Sequence, residues 1–76
     1  MELSIHSSFI KSATYNEAKQ VLRLEMGNNW YYYYGVTMQK VNRFKKAASK
    51  GQYFCKYIKG QYEMAKRKRH TNFSNN

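Results

Sequence analysis

"LRLEMGNNWYYYYGV", residues 22–36, decides the fold of this 76-residue chain. Leu22, Leu24 and Met26 alternate with Arg23 and Glu25, the period of two expected of a strand with one buried and one wet face. Gly27, Asn28 and Asn29 tolerate positive φ and read as a turn, and Trp30 to Val36 follow as an aromatic, β-favouring run. A two-residue turn at Gly27-Asn28 or Asn28-Asn29 sets Leu22 and Leu24 opposite odd-numbered partners. Tyr31 and Tyr33 then join the core, while Trp30, Tyr32 and Tyr34 share the outer face with Arg23 and Glu25. A three-residue loop reverses that assignment; the two-residue turn is favoured because primed turns match sheet twist.

Upstream, "SFIKSATYN" (8–16) reads as an irregular first strand ending at Asn16. Downstream the period changes. Met38, Val41, Phe44 and Ala48 recur every three or four residues among lysines and an arginine, predicting an amphipathic helix over about 38–48 with Thr37 as N-cap. Ser49 followed by Gln52 matches a capping box, and Phe54, Ile58, Tyr62 and Ala65 form the apolar stripe of a second helix. Gly60 falls inside that stripe, where it costs about 1 kcal/mol relative to Ala. The expected fold is α+β, a three-stranded antiparallel meander followed by two helices packed on one face of the sheet. Residues 1–65 form the domain, and 66–76, "KRKRHTNFSNN", form a basic, disordered tail.

Charge narrows the partners. Fourteen Lys and Arg stand against four Glu, a formal net charge of +10. Residues 1–36 hold three basic and three acidic groups, so the whole excess lies in 37–76, where Glu63 is the lone acid. A polyanion or an acidic protein surface is the expected partner. The chain is too short to enclose a deep active-site cavity, and no nucleophile–base or carboxylate pair is discernible, so no catalysis is expected. Cys55 is the single cysteine and is read as a small packing residue of the second helix. No His/Cys cluster at metal spacing occurs, and neither a metal nor a cofactor is expected. The N-terminus lacks a basic segment followed by an apolar run, and no stretch is long enough to span a bilayer, so a cytoplasmic location is expected.

The candidate nucleic-acid-binding residues follow from type and place. Trp30, Tyr32 and Tyr34 offer rings on a sheet face, the device by which small modules stack unpaired bases, and they serve equally well as a homodimer interface. Lys45, Lys46, Lys50, Lys56 and Lys59 on the helices, with Arg67, Lys68 and Arg69 beyond them, would track phosphates. Ser49-Lys50-Gly51 could hold a phosphate at a helix start, but capping explains the same residues.

The order of "SSFIKSATYN", Leu22-x-Leu24-x-Met26, Tyr31-x-Tyr33 with "GV", "ASKGQYF", and then Ile58-Lys59 with Tyr62 resembles the KTSC domain over about residues 7–62. That domain is named for its place at the C-terminus of some lysyl-tRNA synthetases and also occurs as a stand-alone bacterial or phage protein. Tyr31, Tyr33, Ser49, Gly51, Phe54, Ile58 and Tyr62 are the motif and core positions that the resemblance marks. Thr37 stands where the family usually has proline, and Cys55 where asparagine usually follows the Phe. What the resemblance implies for function is RNA binding. The expectation is therefore a small nucleic-acid-binding domain, RNA ahead of DNA and of low sequence specificity. Its rival is an interaction module, phage-encoded for example, that blocks a surface on a host protein.

Overall fold

The computed structural model describes residues 2–68. Its sheet has five strands in sequential antiparallel order: β1 (Glu2–Leu3), β2 (Ile10–Asn16), β3 (Val21–Met26), β4 (Asn29–Tyr34) and β5 (Met64–Lys68). Between β4 and β5 run α1 (Met38–Lys46) and α2 (Lys50–Tyr53), the latter continuing as a wider π-helical turn over Phe54–Ile58.

The β3–β4 hairpin has the expected register. Met26 faces Asn29 across a two-residue turn, Leu24 faces Tyr31 and Leu22 faces Tyr33. Gly27 takes φ +61° while Asn28 stays out of the left-handed region, the arrangement of a type II′ turn with glycine first. Leu22, Leu24 and Tyr33 are buried with Ala13 and Tyr15 of β2, and Val41, Phe44, Phe54 and Ile58 of the helical segment belong to the same cluster. Edge-to-face contact between Tyr33 and Phe54, with centroids 5.7 Å apart, ties β4 to the π-turn. Buried Tyr15 donates its hydroxyl to the Val36 carbonyl at 2.5 Å, fastening β2 to the segment that leads into α1.

Both caps form. Thr37 Oγ1 accepts from the Lys40 N–H at 3.2 Å, and Ser49 Oγ from the Gln52 N–H at 3.3 Å. Gly51 of the "SKG" motif packs closely: a Cβ there would stand 2.9 Å from the Phe9 ring and push that partly exposed ring aside.

The C-terminal half departs from expectation in several places. The sheet has five strands instead of three. The second helix stops at Ile58, so Tyr62 and Ala65 do not continue its stripe; Gly60, at φ +78°, lies in the turn that follows. Leaving the helix frees the chain to return along β4, where Trp30 meets Arg67, Tyr31 meets Lys66 and Tyr33 meets Met64. Residues 66–68 are therefore strand, and the domain boundary placed at 65 falls inside β5. Cys55 is exposed instead of packed, on a helical turn that buries Phe54 and Ile58. The remaining tail, Arg69 included, lies outside the described residues. Among the described residues no helix is long and apolar enough to cross a membrane.

Candidate functional site

The residues expected to act together stand on opposite sides of the sheet. Trp30, Tyr32 and Tyr34 lie on the open side, and Lys45, Lys46, Lys50, Lys56 and Lys59 belong to the helical segment on the other. Each side must be built up separately.

On the open side, cross-strand pairing aligns three rows. Ser12, Glu25, Trp30 and Arg67 form the first, Thr14, Arg23, Tyr32 and Ala65 the second, and Asn16, Val21 and Tyr34 the third. Tyr34 is 42% exposed, whereas Trp30 and Tyr32 are half-buried. The Arg23 guanidinium carbon lies 4.3 Å from the Trp30 ring centroid, and its Nε donates to Thr14 Oγ1 at 3.0 Å. One face of the indole is thus already stacked by a cation. Glu25, buried beside it, accepts from the Ser12 hydroxyl at 3.0 Å. Glu2 stands opposite Thr14 in the second row, Glu17 lines a groove with Arg23 and Tyr34, and the Glu63 carbonyl accepts the Tyr34 N–H at 3.0 Å. Glu2, Glu17 and Glu25 therefore lie on or beside this side and Glu63 adjoins Tyr34 through its backbone, with Lys19, Arg23 and Arg67 among the bases here.

The helical side is different. Lys40, Arg43, Lys45 and Lys46 come from α1, Lys50 and Lys56 from α2 and its π-turn, and Lys59 follows directly after that turn. Lys66 and Lys68 join them, because they oppose Tyr31 and Asn29 across the inward face. Nine basic groups stand here without an acid. Lys50 is partly spent, its Nζ held by the Ala47 carbonyl at 2.6 Å. Lys40 and Lys56 bracket the exposed Tyr57 ring at 5.4 and 5.5 Å from its centroid.

Within this basic side lies a groove of about 490 Å³, bounded by Phe9, Tyr31, Tyr33, Phe54, Tyr62 and Met64, with Lys59 and Cys55 at its lip. Phe9 is 39% and Met64 46% exposed, and Tyr31 and Tyr62 are half-buried, so apolar and aromatic surface is open to solvent here. Burial pushes the Tyr33 hydroxyl up to about 12, with smaller contributions from Tyr31 and Cys55. From sequence, Tyr31, Tyr33, Phe54 and Tyr62 read as motif and core; that reading misses that together they line an opening. It also misses Phe9 and Met64, whose only sequence signal is apolar character outside any periodic stripe. Ile58 is fully buried, and Ser49 and Gly51 serve capping and packing. Arg67 and Lys68 part company, since β5 turns Arg67 to the open side and Lys68 to the other.

Comparison with known proteins bears on the same residues. A lysine–tRNA ligase from Nostoc sp. is 40% identical over 62 residues, and one from Trichormus variabilis is 37% identical, in each case over 80% of this chain. The chain spans only 11% of the length of either ligase. The crystal structure of a KTSC domain protein from Yersinia pestis superposes with a TM-score of 0.79 at 30% identity, covering 87% of this chain and 94% of that one. The KTSC domain model matches residues 6–62, the span that carries β2 to β4, both helices and the aromatic groove as far as Tyr62. By fold and by sequence alike, the chain belongs to the KTSC domain family.

Proposed function

We propose that this chain is a small RNA-binding domain that engages single strands through its helical side. Lysines contact phosphates, and the groove between Tyr31 and Tyr62 receives an unpaired base. The observation that carries this reading is the coincidence of the aromatic groove with the acid-free side of the molecule. A polyanion approaching that side meets only cations, and at its centre it finds apolar rings on which bases stack for about 1 to 3 kcal/mol each. The open side is a poorer platform, because acids are mixed among its bases and Arg23 already covers Trp30. The relatives point the same way: they are ligases named for tRNA, so this domain type accompanies an enzyme that handles RNA. The Lys59 side chain at the groove's lip reads charge, not base edges, and low sequence specificity follows.

The test is fluorescence anisotropy with labelled single-stranded RNA, single-stranded DNA and duplex, titrated from low to physiological salt. Micromolar or tighter single-strand binding that survives physiological salt and drops on Tyr31→Ala supports the reading. Binding that disappears with salt, or ignores Tyr31, would show a merely sticky polycation. The same apolar groove with its basic rim would then be tested as a cradle for an acidic, apolar protein segment.

A further inference from the structure

The open side of the sheet has its own logic, independent of nucleic acid. We propose that it is a self-association surface, on which two copies pack face to face about a twofold axis running along the strands between β3 and β4. Such an axis exchanges these strands in place, so each β3 residue lies over the β4 residue that it already pairs with inside its own chain. The exchanged pairs are chemically suited. Glu25 lies over Trp30 and the Arg23 guanidinium stacked on it, and Val21 meets Tyr34. No like charges are opposed, in contrast to an axis across the strands, which would set Arg23 on Arg23. Shape agrees with charge. Tyr34, the most exposed ring on this side, stands next to a groove of about 670 Å³ whose lining includes Val21, Asn16 and Lys19. The twofold operation swings the ring of one copy into the groove of the other and repeats the contact, as an isologous interface requires.

A mixed-sign face suits a second copy of itself better than a polyanion, and aromatic rings with arginine are the residues that interfaces enrich. The face is small. Four strands by three rows span roughly 20 Å by 20 Å, below a standard interface, so the association is weak and dependent on concentration.

Sedimentation of the full chain from about 10 to 500 µM, the range in which an interface this small would assemble, is the experiment. The expected result is a monomer–dimer equilibrium for the native chain. Tyr34→Lys and Val21→Glu each remain monomeric at these concentrations with unchanged circular dichroism. An equimolar mixture of the two regains dimer, because the carboxylate introduced in one chain then meets the ammonium introduced in the other. A native chain that stays monomeric throughout overturns the proposal, as does Tyr34→Lys dimerising undiminished. Failure of the mixture to recover dimer overturns the stated pairing. RNA anisotropy on Tyr34→Lys separates the two surfaces, since binding on the helical side is expected to be unchanged whichever way sedimentation falls.

Discussion

The two sides of one strand behave as two different materials. Tyr32 and Tyr33 are neighbours in β4, yet Tyr33 is 3% exposed against Phe54, while Tyr32 lies half-buried on a wet sheet face between Arg23 and Ala65. The alternation of a strand sends identical side chains to opposite environments. What lies beyond the sheet then decides their use: a covered, acid-free side with an aromatic groove, or an open side where acids and bases mix. Residue type alone says little here; the side of the sheet says most of it.

The largest effect that tests this division is stability. Tyr33→Ala removes a buried ring and is expected to lower unfolding free energy by about 3 to 5 kcal/mol, whereas Tyr32→Ala is expected to lower it by less than about 1 kcal/mol. Urea melts of the two variants measure the contrast. Equal losses would mean that the open side is as structurally committed as the core, and the comparison would collapse.

Next comes binding. Lys59→Glu and Lys66→Glu, both on the helical side, are each expected to weaken single-stranded RNA about tenfold and to flatten the salt slope by about one unit. Arg67→Glu reverses a charge only one residue along β5, but on the open side, and is expected to change affinity little. Anisotropy against salt reads all three. If Arg67→Glu proves the most damaging, recognition belongs to the open side after all.

Alkaline stability probes the covered side by itself. Burial raises the hydroxyls of Tyr33, Tyr15 and Tyr53, the first to about 12 from the ordinary 10.0. The folded state holds these protons more tightly than the unfolded chain, so the stability they contribute is complete below about pH 10. It drains away as pH rises towards the folded values. The denaturant midpoint is expected to fall between about pH 10 and 12. Tyr33→Phe, with nothing to titrate at that position, should show a shallower fall. An unchanged fall in that variant would place the alkaline sensitivity at Tyr15 and Tyr53.

How far the sequence discloses this design depends on burial. The β3–β4 hairpin was legible because Leu22, Leu24, Tyr31 and Tyr33 must share a face once the turn has two residues. Thr37 and Ser49 were legible because capping is a local interaction. β5 was not, because four of its five residues are exposed and charged or flexible, the composition by which natural edge strands avoid pairing with strangers. An apolar stripe running on through Tyr62 and Ala65 imitated a longer helix, which in fact ends where Lys59 turns extended and Gly60 takes a positive φ. The candidate site was half legible. Its lysines and rings could be named from the sequence, but which rings share a side with the lysines depends on the helical connection and the return of β5.

The smallest expected effect lies where the chain passes from one side to the other. Gln20 ends the β2–β3 turn with φ 56°, and its carbonyl accepts the N–H groups of both Gly35 and Val36 at 3.0 Å, just before α1 begins. A left-handed non-glycine residue is strained by about 1 kcal/mol, which Gln20→Gly would relieve. Glycine also loosens the unfolded chain, offsetting about 0.4 to 1 kcal/mol of that gain. The two terms nearly cancel, so Gln20→Gly is expected to move the unfolding free energy by less than about 0.5 kcal/mol, read from urea melts alongside the Tyr33 series. A loss well beyond that would mean that the Gln20 side chain, and not only its carbonyl, secures the crossing between the two sides.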